Sequence, residues 1–140
     1  HPNCYITAER DTLSAPLDKI QIIKGWTENG NINEEVYDVI CSDDREINNR
    51  NNKCKETKAS VNFENCSFDK NYGSDQLEVI WTDTEYTPDQ NTFYYARAIE
   101  NPTCRWSTYD SIRIDEKPAK NYPKITREMA WSSPIWVKNN

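Results

Sequence analysis

Alternation along the chain has the two-residue period of β-strands nearly throughout, and no window holds apolar residues at i, i+3, i+4 and i+7 long enough to predict a helix. "DKIQIIKGW" places Ile20, Ile22 and Trp26 on one side and Gln21 and Ile23 on the other. "EVYDVIC" alternates Tyr37, Val39 and Cys41 against Val36, Asp38 and Ile40. Between these runs lies Asn29-Gly30, a dipeptide that favours the left-handed turn of a tight hairpin. "ASVNFEN" alternates Val61 and Phe63 against Asn62 and Glu64, and "QLEVIWTD" aligns Leu77, Val79 and Trp81. "NTFYYARAIE" sets Phe93, Tyr95, Arg97 and Ile99 against Tyr94, Ala96 and Ala98. Pro88 and Asp89 in "TEYTPDQ" mark a strand-to-strand crossover, and Pro134 makes "EMAWSSPIWVK" an edge strand or a bulge.

These elements predict an all-β fold, an immunoglobulin- or fibronectin-like β-sandwich of about seven to nine strands, with a Tyr just inside a late strand as in the tyrosine corner of such folds. Residues 1–140 read as one domain; no internal repeat is visible, and the only linker-like stretch is "DEKPAKNYPK". A length of 140 residues is enough to bury a core, and five Trp and eight Tyr supply large apolar area where hydrophobic residues are only 36% of the chain. The net charge of -6 argues against nucleic acid or an anionic membrane as partner, since both demand clustered Lys and Arg. No apolar run is long enough for a membrane span, and "HPNCYITAER" lacks the pattern of a signal peptide. The chain opens on His1 without an initiator Met and is expected to be part of a longer product.

Five cysteines at wide spacings, with no Cys-x-x-Cys pair and a single His, do not form a zinc site, and no metal or cofactor is expected. Their polar, loop-like surroundings point to disulfides and an oxidising compartment, secreted or periplasmic. Spacing does not fix the connectivity. The expected pairing is Cys41 with Cys54, which closes the asparagine-rich loop "INNRNNK", and Cys66 with Cys104, with Cys4 left free.

The densest chemistry sits in "NPTCRWSTYD", residues 101 to 110. A nucleophilic Cys104 would need a neighbouring base, and His1 at a chain terminus is a poor one; Ser107, Ser132 and Ser133 fail for the same reason. No catalytic residue is therefore assigned. Asn101, Arg105, Trp106 and Tyr109 are instead the candidate ligand-binding or interdomain residues, with Arg105 suited to bidentate contact with an anion. Acidic pairs at Asp43 and Asp44, and at Asp83, Glu85 and Asp89, have the oxygen chemistry of calcium ligands, but loop acids of this kind usually only solvate. "DKNYGSD" fails as a calcium loop because its twelfth position is Ile80. "NCS" at Asn65 has the form of a glycosylation sequon. Trp26, Trp81, Trp106, Trp131 and Trp136 are either core or a stacking platform for glycan rings.

Taken in order, "LDKIQIIKGW", "EEVYDVICSDDR", "FYYARAIENPTCRWSTYD" and "AWSSPIWV" resemble the C-terminal part of the family catalogued as domain of unknown function 3604. The resemblance implies a secreted or periplasmic bacterial protein whose N-terminal part, absent here, is similar to metal-dependent phosphoesterase-like barrels and would carry the metal-ligating His and Asp residues. This chain would then be a non-catalytic accessory or structural domain, not an enzyme by itself, with the missing N-terminal region as its partner. It departs from the family pattern in "ITREMAW", where Glu is expected before Arg, and in its long asparagine-rich loop. Two other readings follow from the residues: a binding module for glycan or protein through exposed Trp and Tyr, and a contribution of the Arg105 loop to the parent enzyme's site, holding a small anionic ligand.

Overall fold

The hairpin expected at Asn29-Gly30 is the spine of the molecule. In the computed structural model, which describes residues 1–117 and 120–138, the chain forms β1 (Asn3–Glu9), β2 (Leu17–Glu28), β3 (Asn31–Cys41), β4 (Ile47–Asn48), β5 (Lys53–Cys54) and β6 (Gln76–Thr82). It continues through β7 (Thr92–Glu100), β8 (Thr103–Cys104), α1 (Trp106–Arg113), β9 (Ile125–Thr126), β10 (Met129–Trp131) and β11 (Ile135–Val137). Asn29 and Gly30 take φ of 51° and 79°, and Glu28 faces Asn31 across the turn. Glycine meets that left-handed backbone without a Cβ penalty, and Asn is the side chain that tolerates it best.

β2 is central: β3 flanks one edge and β7 the other, and β10 and β11 share the far edge of β7, all antiparallel. A second sheet of two strands, β1 paired with β6, packs over this five-stranded sheet. Seven strands thus build an all-β sandwich, and β4–β5 and β8–β9 are short ladders at its margins. The core lies between the sheets, where Ile20, Ile22, Tyr37, Val39 and Tyr94 meet Leu77, with Ile6, Val79 and Trp81 against them. Each such side chain contributes about 1.5–3 kcal/mol when fully buried. A bulge adjusts the alternation: Ile20 faces Ile40 and Gln21 faces Asp38, so Val39 is the extra residue. That shift brings Cys41 opposite Lys19, where it bridges to Cys54 of β5.

Four expectations change. Trp106–Arg113 is helical, although no helix was expected. Its buried residues are the small polar Thr108 and Ser111, so no apolar stripe announces it. "ASVNFEN" has no strand partner beyond a single bridge from Val61 to Phe68, and Phe63 is exposed beneath the Lys124 ammonium. The final strand is two, β10 and β11, broken at Ser132–Pro134. β1, not anticipated, alternates Cys4, Ile6 and Ala8 toward the core, a stripe too small in side-chain volume to stand out. Of the linker-like stretch, Pro118 and Ala119 lie outside the described residues.

Three buried carboxylates hold the sandwich together. Asp18 accepts from Arg45 at 2.5 Å and Arg127 at 2.6 Å, joining the 40s loop to the C-terminal segment. Asp83, just after β6, meets the Lys24 ammonium and the Tyr94 hydroxyl, each at 2.6 Å. Tyr94 thus donates through its hydroxyl to a side-chain carboxylate. Burial, then the Asp83 hydrogen bond, pushes its phenol well above the ordinary range, so it remains a donor. Asp38 accepts from Lys19 at 2.8 Å, Gln21 at 2.6 Å and the Cys54 amide at 2.8 Å. Burial works to raise the Asp38 carboxyl, but these three donors prevail and hold it below the ordinary carboxylate range.

Because the folded pKa of Asp38 is depressed, its stabilisation is full above the unfolded value, about 3.9, and disappears as pH falls through the lower folded value. Asp38→Asn should lower stability at pH 7 by roughly 2–3 kcal/mol and flatten the loss of stability below about pH 4, read by denaturant melts across pH. An equally steep acid limb in the variant would contradict this. Gly25→Ala should cost roughly 1–3 kcal/mol, because a Cβ there would lie 2.2 Å from the Phe93 ring, itself stacked on Tyr95. A thermal melt within a degree of the parent would show that the ring gives way freely.

Candidate functional site

The segment 101–113 is shaped by its ends. Asn101 is fully buried: its amide donates to Pro16 O at 2.8 Å and its Nδ2 to Tyr72 O at 2.9 Å. β8 then pairs with β9, Cys104 opposite Ile125, and the Arg105 amide donates to Lys124 O at 2.9 Å. Arg105, in extended conformation (φ -72°, ψ 155°), is the N-cap of α1 and makes no side-chain cap. Thr108 anchors the first turn through its hydroxyl to Lys124 O at 2.7 Å, and Ser111 donates to Thr108 O at 2.9 Å. The Cys66–Cys104 disulfide ties the start of the helix to the 60s loop, where the Tyr109 hydroxyl meets Cys66 O at 3.5 Å.

These constraints open a cleft of about 590 Å³ along α1, within the size range of small-molecule sites. Arg105, Trp106 and Tyr109 line it together, with Arg113 from the far end of the helix. Asn101 does not line it; it is buried, with its backbone amide on Pro16 O and its Nδ2 on Tyr72 O. Ser14, Phe68, Thr126 and Glu128 complete the walls. None of these four is marked by local sequence, because the topology gathers them from distant segments; Phe68 alone could be inferred, from the partner cysteine two residues before it.

Among the described residues, no side chain pairs with the Arg105 guanidinium, and Arg113 has only a 3.9 Å approach to Asp110. Trp106 is 75% exposed. The cleft therefore offers a cationic fork, a bare indole face and a phenol, a set that holds a planar anion and stacks on a ring. It offers no nucleophile: Cys104 is half of a disulfide. The free thiol, Cys4, lines a different groove, and burial followed by the Asp83 charge holds it above the ordinary thiol range, away from the reactive thiolate.

Two of the acidic candidates are engaged within the fold: Asp83 is paired with Lys24, and Asp43 accepts the Gly73 amide at 2.9 Å. The Tyr37 hydroxyl donates to Glu35 at 2.8 Å, with Glu85 farther off at 3.3 Å. Among the described residues no three His, Cys, Asp or Glu side chains come together in a group that could hold a metal ion. Of the tryptophans, Trp81 packs on the core between Tyr37 and Tyr94, and Trp26 lies under the Lys24 ammonium; Trp106, Trp131 and Trp136 are exposed. No described helix is long and apolar enough to cross a membrane.

No curated protein and no solved structure matches the chain. Residues 1–139 match the family described as "Protein of unknown function (DUF3604)", and with essentially its whole length covered the chain belongs to that family.

Proposed function

We propose that the chain is a non-catalytic accessory β-sandwich of a larger secreted or periplasmic protein, and that its α1 cleft binds a small anionic ligand carrying a ring, such as an acidic sugar. The observation that carries this reading is the Arg105 guanidinium, free of any partner among the described residues, beside the exposed Trp106 in a cleft whose one thiol is bridged. Arg105 would grip a carboxylate, sulfate or phosphate through two parallel N–H donors, while Trp106 and Tyr109 present faces to the ring. The two disulfides favour an oxidising compartment. The same cleft can form one wall of a site completed by another region of the parent protein, which would make its product or substrate the ligand. A metal-dependent hydrolase as that parent rests on the family resemblance alone.

Trp106 provides its own probe. Titration of the chain with glucuronate, a sulfated monosaccharide and inorganic phosphate should change its tryptophan fluorescence for at least one of them. Arg105→Ala should weaken that binding at least tenfold and Arg105→Lys by a smaller factor, since an ammonium cannot reproduce the fork. Trp106→Phe should erase the signal without altering the fold. Fluorescence unmoved by every anion, or binding indifferent to Arg105→Ala, sinks the reading.

A further inference from the structure

The two sheets of the sandwich differ in width. β1 and β6 cover the β2–β3 side of the large sheet, where Leu77, Val79 and Trp81 meet Ile22, Tyr37 and Val39. The β7–β10 side of the same face carries Ala96, Ala98 and Ala130, and a groove runs there beside β1 from Asn3 to Glu9. Its three confluent parts have volumes of about 530, 260 and 120 Å³, and the buried Ile20 and Ile22 lie at its floor. Among the described residues, no backbone group pairs with the edge of β1 that faces away from β6. Seven residues of unpaired strand edge thus border an apolar channel, the combination that accepts an added strand.

One end of the channel is charged. Glu9, Glu100 and Glu128 line it and no described Lys or Arg does; the Arg10 guanidinium, whose charge reaches Glu100, is paired with Asp75 at 3.0 Å. Burial raises the Glu100 carboxyl above its ordinary range, helped by the neighbouring Glu128 and Asp11 charges and opposed by the hydrogen bond from Ser14 and the charge of Arg10. Pairing β1 with β1 of a second copy would bring the Asn3 end of one strand to the Glu9 end of the other, and β1 contains no Lys or Arg to neutralise that end.

We propose that this groove is a strand-acceptor site: an extended polypeptide segment from outside the chain lies antiparallel to β1, extends the small sheet by main-chain hydrogen bonds, covers Ala96, Ala98 and Ala130 with alternate apolar side chains, and sets a Lys or Arg at its N-terminal end against Glu9, Glu100 and Glu128. The small alanines leave room for side chains of valine size from the incoming strand. Antiparallel pairing is the more stable register type and continues that of β1 with β6. The inference goes beyond the Arg105 reading and does not depend on it; only Glu128 borders both sites.

The probe is an acetylated, amidated peptide with two lysines followed by alternating valine and threonine, added to the 140-residue chain while hydrogen exchange is followed by mass spectrometry. The β1 amides should exchange at least tenfold more slowly with the peptide present. Moving the lysines to its C-terminal end should remove most of that protection, and N-methylation at alternate residues should remove all of it. Ala98→Trp, which fills the channel, should abolish binding with an unchanged far-ultraviolet circular dichroism spectrum; the N-methylated peptide carries the test if this variant does not fold. No slowing at millimolar peptide, equal slowing by the N-methylated form, or β1 already protected in a dimer of the chain alone overturns the proposal. Such a failure is separate from that of the anion cleft, which is read from Trp106 fluorescence.

Discussion

The meeting of Asp83, Lys24 and Tyr94 fixes how the two sheets lie on each other. Asp83 follows β6, Lys24 belongs to β2 and Tyr94 to β7, so a single carboxylate joins the small sheet to the middle of the large one. All three groups are almost wholly buried, and removing one partner from such a pair costs about 3–5 kcal/mol because the other is left charged in a poor solvent. Apolar contacts alone would tolerate a small sheet slid sideways; the ion pair does not. Once β6 is held there, β1 follows through its pairing with β6, and the uncovered strip over Ala96 and Ala98 is determined by the same stroke.

The polar core also explains which parts of the fold the sequence disclosed. The β2–β3 hairpin was legible because its turn chemistry and its alternation agree. β6 and β7 were legible from their large side chains. What escaped were elements held by something other than an apolar stripe: α1, secured by a disulfide and by the hydroxyl of Thr108, and β1, whose inward residues include small Cys4 and Ala8. The bulge at Val39 escaped as well, because one extra residue leaves no trace in a short alternating run. Both bridges join the cysteines paired in the sequence reading.

Of the candidate site, the sequence disclosed the side that is contiguous. Arg105, Trp106 and Tyr109 do share a cleft, since one turn of helix brings an N-cap residue and its first and fourth successors to one surface. Asn101 is only four residues from Arg105, yet the turn into β8 carries it inward, where its amide groups satisfy the Pro16 and Tyr72 carbonyls. The opposite wall, from Ser14 to Glu128, is assembled from segments far apart in sequence, and no local pattern encodes such a meeting.

The pairing of Asn3 with Thr82 has a consequence for how the molecule is made. β2 and β3 are neighbours in the chain and close through a two-residue turn, whereas β1 must wait for β6, and a loop of that length carries a large closure entropy before its contacts form. The small sheet is therefore expected to assemble last, on a large sheet already in place. During that interval Ile20, Ile22 and the alanines beside them are open to water, so the order of assembly, as well as the finished shape, leaves this face accessible to an extended segment from another chain.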